Sequence, residues 1–374
     1  KAKFKFSKIK INYNLNKKEK GYNSFVNGMI ALANKDYKKA VVESSNVSNY
    51  LSDNPALSLL LKSQILKIEK KYDELSLIYE AMTKNEKTEN LGYRGLMEQY
   101  LRAQDYHHAF IYGEKLFYKN PYIEKIYDTL VNIVAKTNNW QQLLNITDNA
   151  LAKKIIDKKT YQENKSISLY EIAKIKQYAE INESINYVKK ALNLRKNFPP
   201  YVKLYLELLI QNKNYNFAKK FLKKTWKENP HPEYKSTIPL LAKNLEIQIT
   251  DFVKIIVGNS LHEEESKILM VEALIENKNW DTARKQIKDL IDIQPKKEIC
   301  LLMAKIEEGD THDIQKINSW TMRSQQGVEK NIWVCLISNL TQPEWSALSA
   351  GGYFNSLSWQ KPILLKSSYN KHKI

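Results

Sequence analysis

Six histidines and two cysteines are the side chains best suited to hold a metal or attack an electrophile. His107 and His108 are adjacent, whereas His231, His262, His312 and His372 stand apart. None belongs to an H-E-x-x-H helix or to a Cys/His cluster with ligand spacing. Cys300 and Cys335 are too few to close a four-ligand zinc site or to build a disulfide framework, and they read as two reduced, partly buried thiols. His262-Glu263-Glu264-Glu265 reads as the acidic first turn of a helix, where the dipole favours negative charge. No Ser, Cys or carboxylate has a partner at catalytic spacing. No G-x-G-x-x-G follows a strand pattern, and the first 60 residues contain only Gly21 and Gly28. The expectation is a chain with no catalytic residue, no metal and no cofactor: not an enzyme.

With no chemistry to position, the elements themselves become the message. Hydrophobic residues make up 43% of the 374, enough for a large core, and there are only 10 Gly and 10 Pro. That is too few turn residues for a sandwich of short strands, and it suits long helices with short joints. A unit recurs along the chain: a polar residue, then an aromatic, then often Ala three positions later, and Pro about fifteen positions beyond. Asp36-Tyr37 leads to Ala40, Lys71-Tyr72 to Leu75, Asp105-Tyr106 to Ala109 and Pro121, and Asn139-Trp140 to Leu143. Asn214-Tyr215 leads to Ala218 and Pro230, and Asn279-Trp280 to Ala283 and Pro295. The aromatics are 35, 34, 34, 75 and 65 residues apart. The first three intervals are the tetratricopeptide period. The longer two read as pairs of repeats, one holding a degraded unit near Ile181 that keeps Ala191, the other a trimmed member between Ser236 and Asn259.

The predicted fold is all-α, a right-handed α-solenoid of tetratricopeptide-like helical hairpins. A small residue early in each second helix lets the two helices approach, and Pro ends the unit. Tyr201, Leu204, Tyr205 and Leu208 form an i, i+3, i+4, i+7 stripe with Glu207 off it, and Ala218, Leu222 and Trp226 form the next stripe. About eight units are expected over residues 21–308. Beyond Gly309 the period is lost, and Trp320, Trp333, Trp345 and Trp359 gather with Phe354 in a tail, 309–374. A solenoid end must be covered, so the tail is expected to cap the last apolar face.

The net charge of +18 is almost wholly lysine, since Arg94, Arg102, Arg195, Arg284 and Arg323 are the only arginines among 59 basic residues. Arginine carries most bidentate phosphate and base recognition, which makes nucleic acid an unfavoured partner. Abundant Lys, Asn, Ile and Tyr fit a compositional drift that inflates charge along the whole chain. Residues 1–20 are denser still, with eight lysines against Glu19 and with Phe4, Phe6, Ile9, Ile11 and Tyr13 interleaved. No apolar run is long enough to span a bilayer. By composition the segment is either a basic tail or a neck lying against anionic headgroups beside a membrane helix.

Particular residues sharpen these readings. Lys17-Lys18-Glu19-Lys20-Gly21-Tyr22, Asn27-Gly28, Leu91-Gly92-Tyr93-Arg94-Gly95-Leu96 and Asn229-Pro230-His231-Pro232 follow one another in order. Trp280 with Ala283-Arg284, Glu307-Glu308, Trp333-Val334-Cys335, Glu344-Trp345, Phe354, Leu357 and Trp359 complete the series. In this series the chain resembles HemY-type proteins, bacterial inner-membrane tetratricopeptide proteins associated with haem biosynthesis. The resemblance implies membrane helices ahead of a juxtamembrane neck at 1–20, and a solenoid facing the cytoplasm by the positive-inside rule, with the periplasm as the other side. It also implies a tail shaped like a small metal ribbon with two CxxC pairs. Here only Cys335 remains; Ser338 stands at the second position, and the other pair falls near Leu348 or Ser349 and Gly351. No tightly bound zinc is expected. Haem ligation by one of the histidines is the weaker reading beside exposed or capping roles.

A tetratricopeptide groove is lined by the first helix of each unit, and the aromatic register puts Gln64, Lys67, Arg94, Glu98, Asp128 and Asn132 there. Arg94 reads either as a clamp for a partner carboxylate or as half of an ion pair between adjacent repeats. The expected function is a non-enzymatic, membrane-tethered scaffold for proteins of haem biosynthesis. The alternative is a general peptide-binding adaptor in envelope assembly or quality control with no haem link.

Overall fold

The computed structural model of the chain describes residues 2–291 and 296–362, with side chains described from residue 13. Phe4, Phe6, Ile9 and Ile11 as side chains, and Pro295 and His372 altogether, lie outside these. The described residues form 18 α-helices, two 3-10 turns and three short strands, in two compact units, 1–137 and 138–374.

The first unit contains α1 (Ala2–Ala33), α2 (Tyr37–Tyr50), α3 (Ala56–Glu69), α4 (Tyr72–Thr83), α5 (Glu89–Arg102), α6 (Tyr106–Lys119) and α7 (Ile126–Thr137). Each packs on the next in sequence. The second unit opens with α8 (Trp140–Ala152). It continues through α9 (Lys158–Lys176), α10 (Ile181–Leu194), α11 (Pro199–Gln211), α12 (Tyr215–Glu228), α13 (Thr237–Asn244) and α14 (Ile249–Val257). Then come α15 (Glu264–Glu276), α16 (Trp280–Lys288), α17 (Lys297–Asp310) and α18 (Ile314–Gln325). The class is all-α, a tetratricopeptide-like helical repeat.

The joint inside each hairpin explains the recurring sequence. Lys35, Lys70, Gln104, Lys213 and Lys278 all take a left-handed conformation with φ between 55° and 62°. Each ends a first helix, and the residue after it sends its amide back five positions: Asp36 N to Ala31 O (2.8 Å), Asp105 N to Tyr100 O (2.9 Å), Asn214 N to Leu209 O (2.8 Å). Where that residue is Asp its side chain also caps the second helix, Asp36 accepting from Lys39 N and Asp105 from His108 N. Ala40, Ala109, Ala218 and Ala283 are fully buried where the helices cross. The marker aromatic meets the following repeat. Arg102, at the end of the following first helix, lies 4.2 Å over Tyr72, and Lys136 lies 5.0 Å over Tyr106. Gly309 sits against the Trp280 ring in the same way. The aromatic is thus a shelf for the next repeat.

Second helices begin at 37, 72, 106, 140, 181, 215, 249, 280 and 314, so the period runs through nine units and not about eight. Ile181, Ile249 and Ile314 replace the aromatic; the first two fall in the degraded and trimmed units expected from the sequence, and the unit entered at Ile314 is the additional one. The array therefore passes the expected boundary at 308 and reaches Gln325. At the other end, residues 2–20 of the expected neck are helical backbone continuous with the first repeat helix.

The remaining residues make a small antiparallel sheet in the order β2-β1-β3, from β1 (Ile332–Cys335), β2 (Thr341–Gln342) and β3 (Leu357–Gln360). Register pairs Trp333 with Trp359, whose rings lie 5.3 Å apart. The aromatic face of this sheet does not cover the α17–α18 hairpin. It packs on α9, α11 and the 3-10 turn Pro232–Tyr234, far earlier in the chain.

Candidate functional site

In the first unit, Gln64 and Lys67 of α3 and Arg94 and Glu98 of α5 line one hollow of about 170 Å³, floored by Leu60, Tyr79 and Met82. A neighbouring hollow of about 350 Å³ shares Arg94 and Glu98 and extends to Leu116 and Thr129. Four of the six expected groove residues therefore come together. Asp128 and Asn132 line neither hollow; they are exposed on α7, where Asn132 Nδ2 donates to Asp128 O (2.9 Å).

Glu98 governs the charge of this hollow. Arg94 Nε donates to Glu98 Oε1 (2.9 Å) one helical turn away, and Lys67 Nζ reaches Glu98 Oε2 at 3.9 Å from the adjacent repeat. The contact between repeats thus belongs to Lys67, while Arg94 pairs within its own helix. Both cations are about half exposed, so these pairs contribute only about 0–1 kcal/mol. An incoming carboxylate can replace Glu98 at little cost. The hollow exists because Gly92 and Gly95 bring α5 onto α4: a Cβ on Gly92 would lie 2.7 Å from Thr83 N and from Tyr79 O.

In the second unit the corresponding face is already covered. Trp345 is 5% exposed and lies edge-on to Phe198 (5.3 Å), Tyr170 (5.4 Å) and Tyr201 (6.0 Å). Trp333 Nε1 donates to Glu233 Oε1 (2.6 Å), Asn355 Nδ2 to Glu163 Oε2 (3.1 Å), and Lys203 Nζ to Glu344 Oε1 (2.9 Å). His231 packs 4.7 Å from Trp359, and its Nδ1 accepts from Glu233 N. Burial holds His231 neutral, pulling it down to about 4. Burial raises Glu171, Glu207 and Glu233, although Glu207 stands exposed off the buried stripe of α11. Glu344 is lowered by the Lys203 ammonium. Further along, a hollow of about 530 Å³ over α15, α17 and α18 is edged by the pairs Lys297–Glu329 (2.9 Å) and Lys330–Glu298 (3.8 Å).

Sequence reasoning missed this covered face. Its signal was the aromatic run on the first helices, Tyr170, Phe198 and Tyr201, which the repeat packing alone does not require. The five arginines are all occupied within the chain. Arg94 and Arg284 hold carboxylates, with Arg284 tying α16 to Glu307 and Asp310 of α17. Arg102, Arg195 and Arg323 lie over Tyr72, Phe198 and Trp320.

The tail also tests the metal that the family resemblance implies. Cys335 Sγ is fully buried and receives Ser338 N (3.4 Å), with Ser356 Oγ at 3.3 Å. Burial raises its pKa, but hydrogen bonds from Ser338, Ser349 and Ser356 outweigh this and bring it to about 6. A Cβ on Gly351 would sit 3.1 Å from Ser338 Oγ, so the second loop does approach the first. It brings a glycine where a thiolate would be needed. One sulfur among hydroxyls does not fit a tetrahedral zinc site. Among the described residues no group of three or more His, Cys, Asp or Glu is arranged to hold a metal ion. His108 is tied to Asp105 and stacked on Tyr100, and His262 Nδ1 lies 3.1 Å from Asn259 O.

No family model and no characterised protein matches the chain. Similar solved structures include Naa15/Naa10 bound to HypK-THB, at 13% identity and a TM-score of 0.45 over 82% of this chain and 49% of that one. This chain thus spans about half the length of that relative. A tetratricopeptide repeat protein from Parabacteroides merdae matches at 15% identity and a TM-score of 0.30, over 62% of this chain and 98% of that one. The TPR2AB-domain:pHSP90 complex of yeast Sti1 matches at 10% identity and a TM-score of 0.35, over 82% and 98%. These are likenesses of fold to helical-repeat proteins.

Proposed function

We propose that the chain is a non-enzymatic protein-interaction scaffold that receives a partner segment on the first-helix face of its first unit. The observation that carries this reading is the open hollow of Gln64, Lys67, Arg94 and Glu98, with an exchangeable carboxylate at its centre. A partner carboxylate displaces Glu98 from Arg94 and Lys67, and apolar partner side chains enter between Leu60, Met82 and Leu91. Attachment to the bacterial inner membrane, by helices ahead of the lysine-rich 1–20 segment, and service to haem biosynthesis are the finer part of the proposal. They rest on the resemblance and on the charge of that segment. No helix among the described residues is long and apolar enough to cross a membrane.

The test is capture from detergent extracts with a photo-crosslinking residue in place of Gln64. Arg94→Ala should lower capture severalfold and leave the melting temperature nearly unchanged. Capture unaffected by Arg94→Ala, together with a loss of stability, would make Arg94 structural and sink the reading. Recovery of porphyrin-pathway enzymes supports the haem role; diverse clients support the general adaptor.

A further inference from the structure

On the outer side of the second unit, α10 and α12 lie side by side and parallel. Near their starts Asn212 Nδ2 donates to Asn182 Oδ1 (3.4 Å). Near their ends Asn197 Nδ2 donates to Glu228 Oε2 (2.8 Å), and Asn229 Nδ2 to Asn197 O (3.2 Å). Ser184, Val188 and Ala191 are the buried stripe of α10; Ala218, Leu222, Thr225 and Trp226 are that of α12. The helical period then turns Lys189 and Lys190, and Lys220, Lys223, Lys224 and Lys227, away from the core, and all six are exposed.

None of the six lysines forms an ion pair within the described residues. Glu228 accepts from Asn197 and is lowered by that bond and by Lys224, Lys196 and Lys227, so one carboxylate offsets part of the charge of the patch. General lysine enrichment does not account for the patch, because the preceding outer helix α8 contains no lysine. Phe217 stands on the same outward face, 53% exposed, one turn before Lys220 and two before Lys224.

We propose that this outer face of α10 and α12 docks on an anionic lipid bilayer surface. A row of hydrated ammonium groups suits a diffuse layer of headgroups, and an exposed phenyl ring suits the boundary beneath it. Nucleic acid would call on guanidinium forks and stacked rings, and the arginines here are committed internally. The inference does not rest on the tether or on the partner hollow proposed above.

The test is co-sedimentation of the full chain with phosphatidylcholine vesicles made with and without phosphatidylglycerol. Binding should require phosphatidylglycerol and weaken with salt. Replacing Lys220, Lys223, Lys224 and Lys227 together with Gln should lower partitioning by roughly tenfold or more. Phe217→Ser should lower it by about tenfold in a manner that salt does not reproduce. Helicity and melting temperature serve as the folding control, and Lys189→Gln with Lys190→Gln repeats the test on α10. Three results would each overturn the proposal: equal binding to neutral vesicles, equal partitioning of the lysine variants, or loss only when Lys17, Lys18 and Lys20 are replaced. Loss of oligonucleotide binding with vesicle binding intact would assign the patch to nucleic acid instead.

Discussion

Replacing Trp345 with alanine removes the ring that holds the C-terminal sheet against α9 and α11. The ring is nearly fully buried among Tyr170, Phe198 and Tyr201, and truncating such a ring costs about 3–5 kcal/mol. What remains is smaller. The Lys203–Glu344 pair leaves Glu344 74% exposed and contributes about 0–1 kcal/mol. The Trp333–Glu233 hydrogen bond adds about 1.5–3 kcal/mol. Losing about 3 kcal/mol raises the undocked population of the tail by on the order of a hundredfold. Limited proteolysis at the exposed Leu336, Ile337 and Leu340 reads that population directly. Cleavage there should accelerate by about that factor while helices of the first unit keep their hydrogen-exchange protection. Unchanged cleavage would refute the assignment of Trp345 as the anchor. Equal loss of protection everywhere would show that the tail supports the whole fold and does not merely cover one face.

Four further outcomes follow from named contacts. His231 is neutral in the folded chain down to about pH 4, whereas in the unfolded chain it titrates near 6.5, so its contribution is complete above pH 6.5 and is lost as pH falls toward 4. The raised carboxyls of Glu171, Glu207 and Glu233 act in the opposite sense, so His231→Gln should reduce the loss of melting temperature between pH 7 and pH 5 relative to the parent. Gly92→Ala forces α5 off the backbone of α4 and should cost about 1–3 kcal/mol by thermal melting; a neutral effect would mean the helices separate freely. Glu98→Gln frees Arg94 and Lys67 together and should tighten binding of an acidic peptide severalfold by fluorescence anisotropy, with no gain if the pair is inert. Elemental analysis of purified protein should find no stoichiometric zinc, because Cys335 is surrounded by serine hydroxyls; one zinc per chain would overturn that reading.

How much was legible depends on the range of the interaction. The hairpin joint is local: a left-handed residue, an Asp or Asn opening the second helix and a buried Ala three positions into it are set by neighbouring backbone geometry, so they repeat in sequence. The all-α repeat class was therefore readable from Tyr37, Tyr72 and Tyr106 onward. The units starting at Ile181 and Ile249 were legible only from the length of the gaps, and the one starting at Ile314 was not, because isoleucine at that place leaves no distinctive mark. The four residues Gln64, Lys67, Arg94 and Glu98 could be placed on one face because helix register carries that far. Their charge state could not be, since Glu98 answers two cations from two helices.

What only the tertiary structure decided is where the tail goes and which lysines share a surface. Trp345 meets Tyr170 and Phe198 across more than a hundred residues, and no periodicity encodes such a meeting. It follows from matching apolar surfaces after the repeats have stacked. Likewise α10 and α12 become neighbours only when α11 returns the chain between them, which turns scattered lysines into one basic face. Local rules write the repeat into the sequence, whereas contacts between distant segments depend on shape and charge that exist only once the repeats are packed.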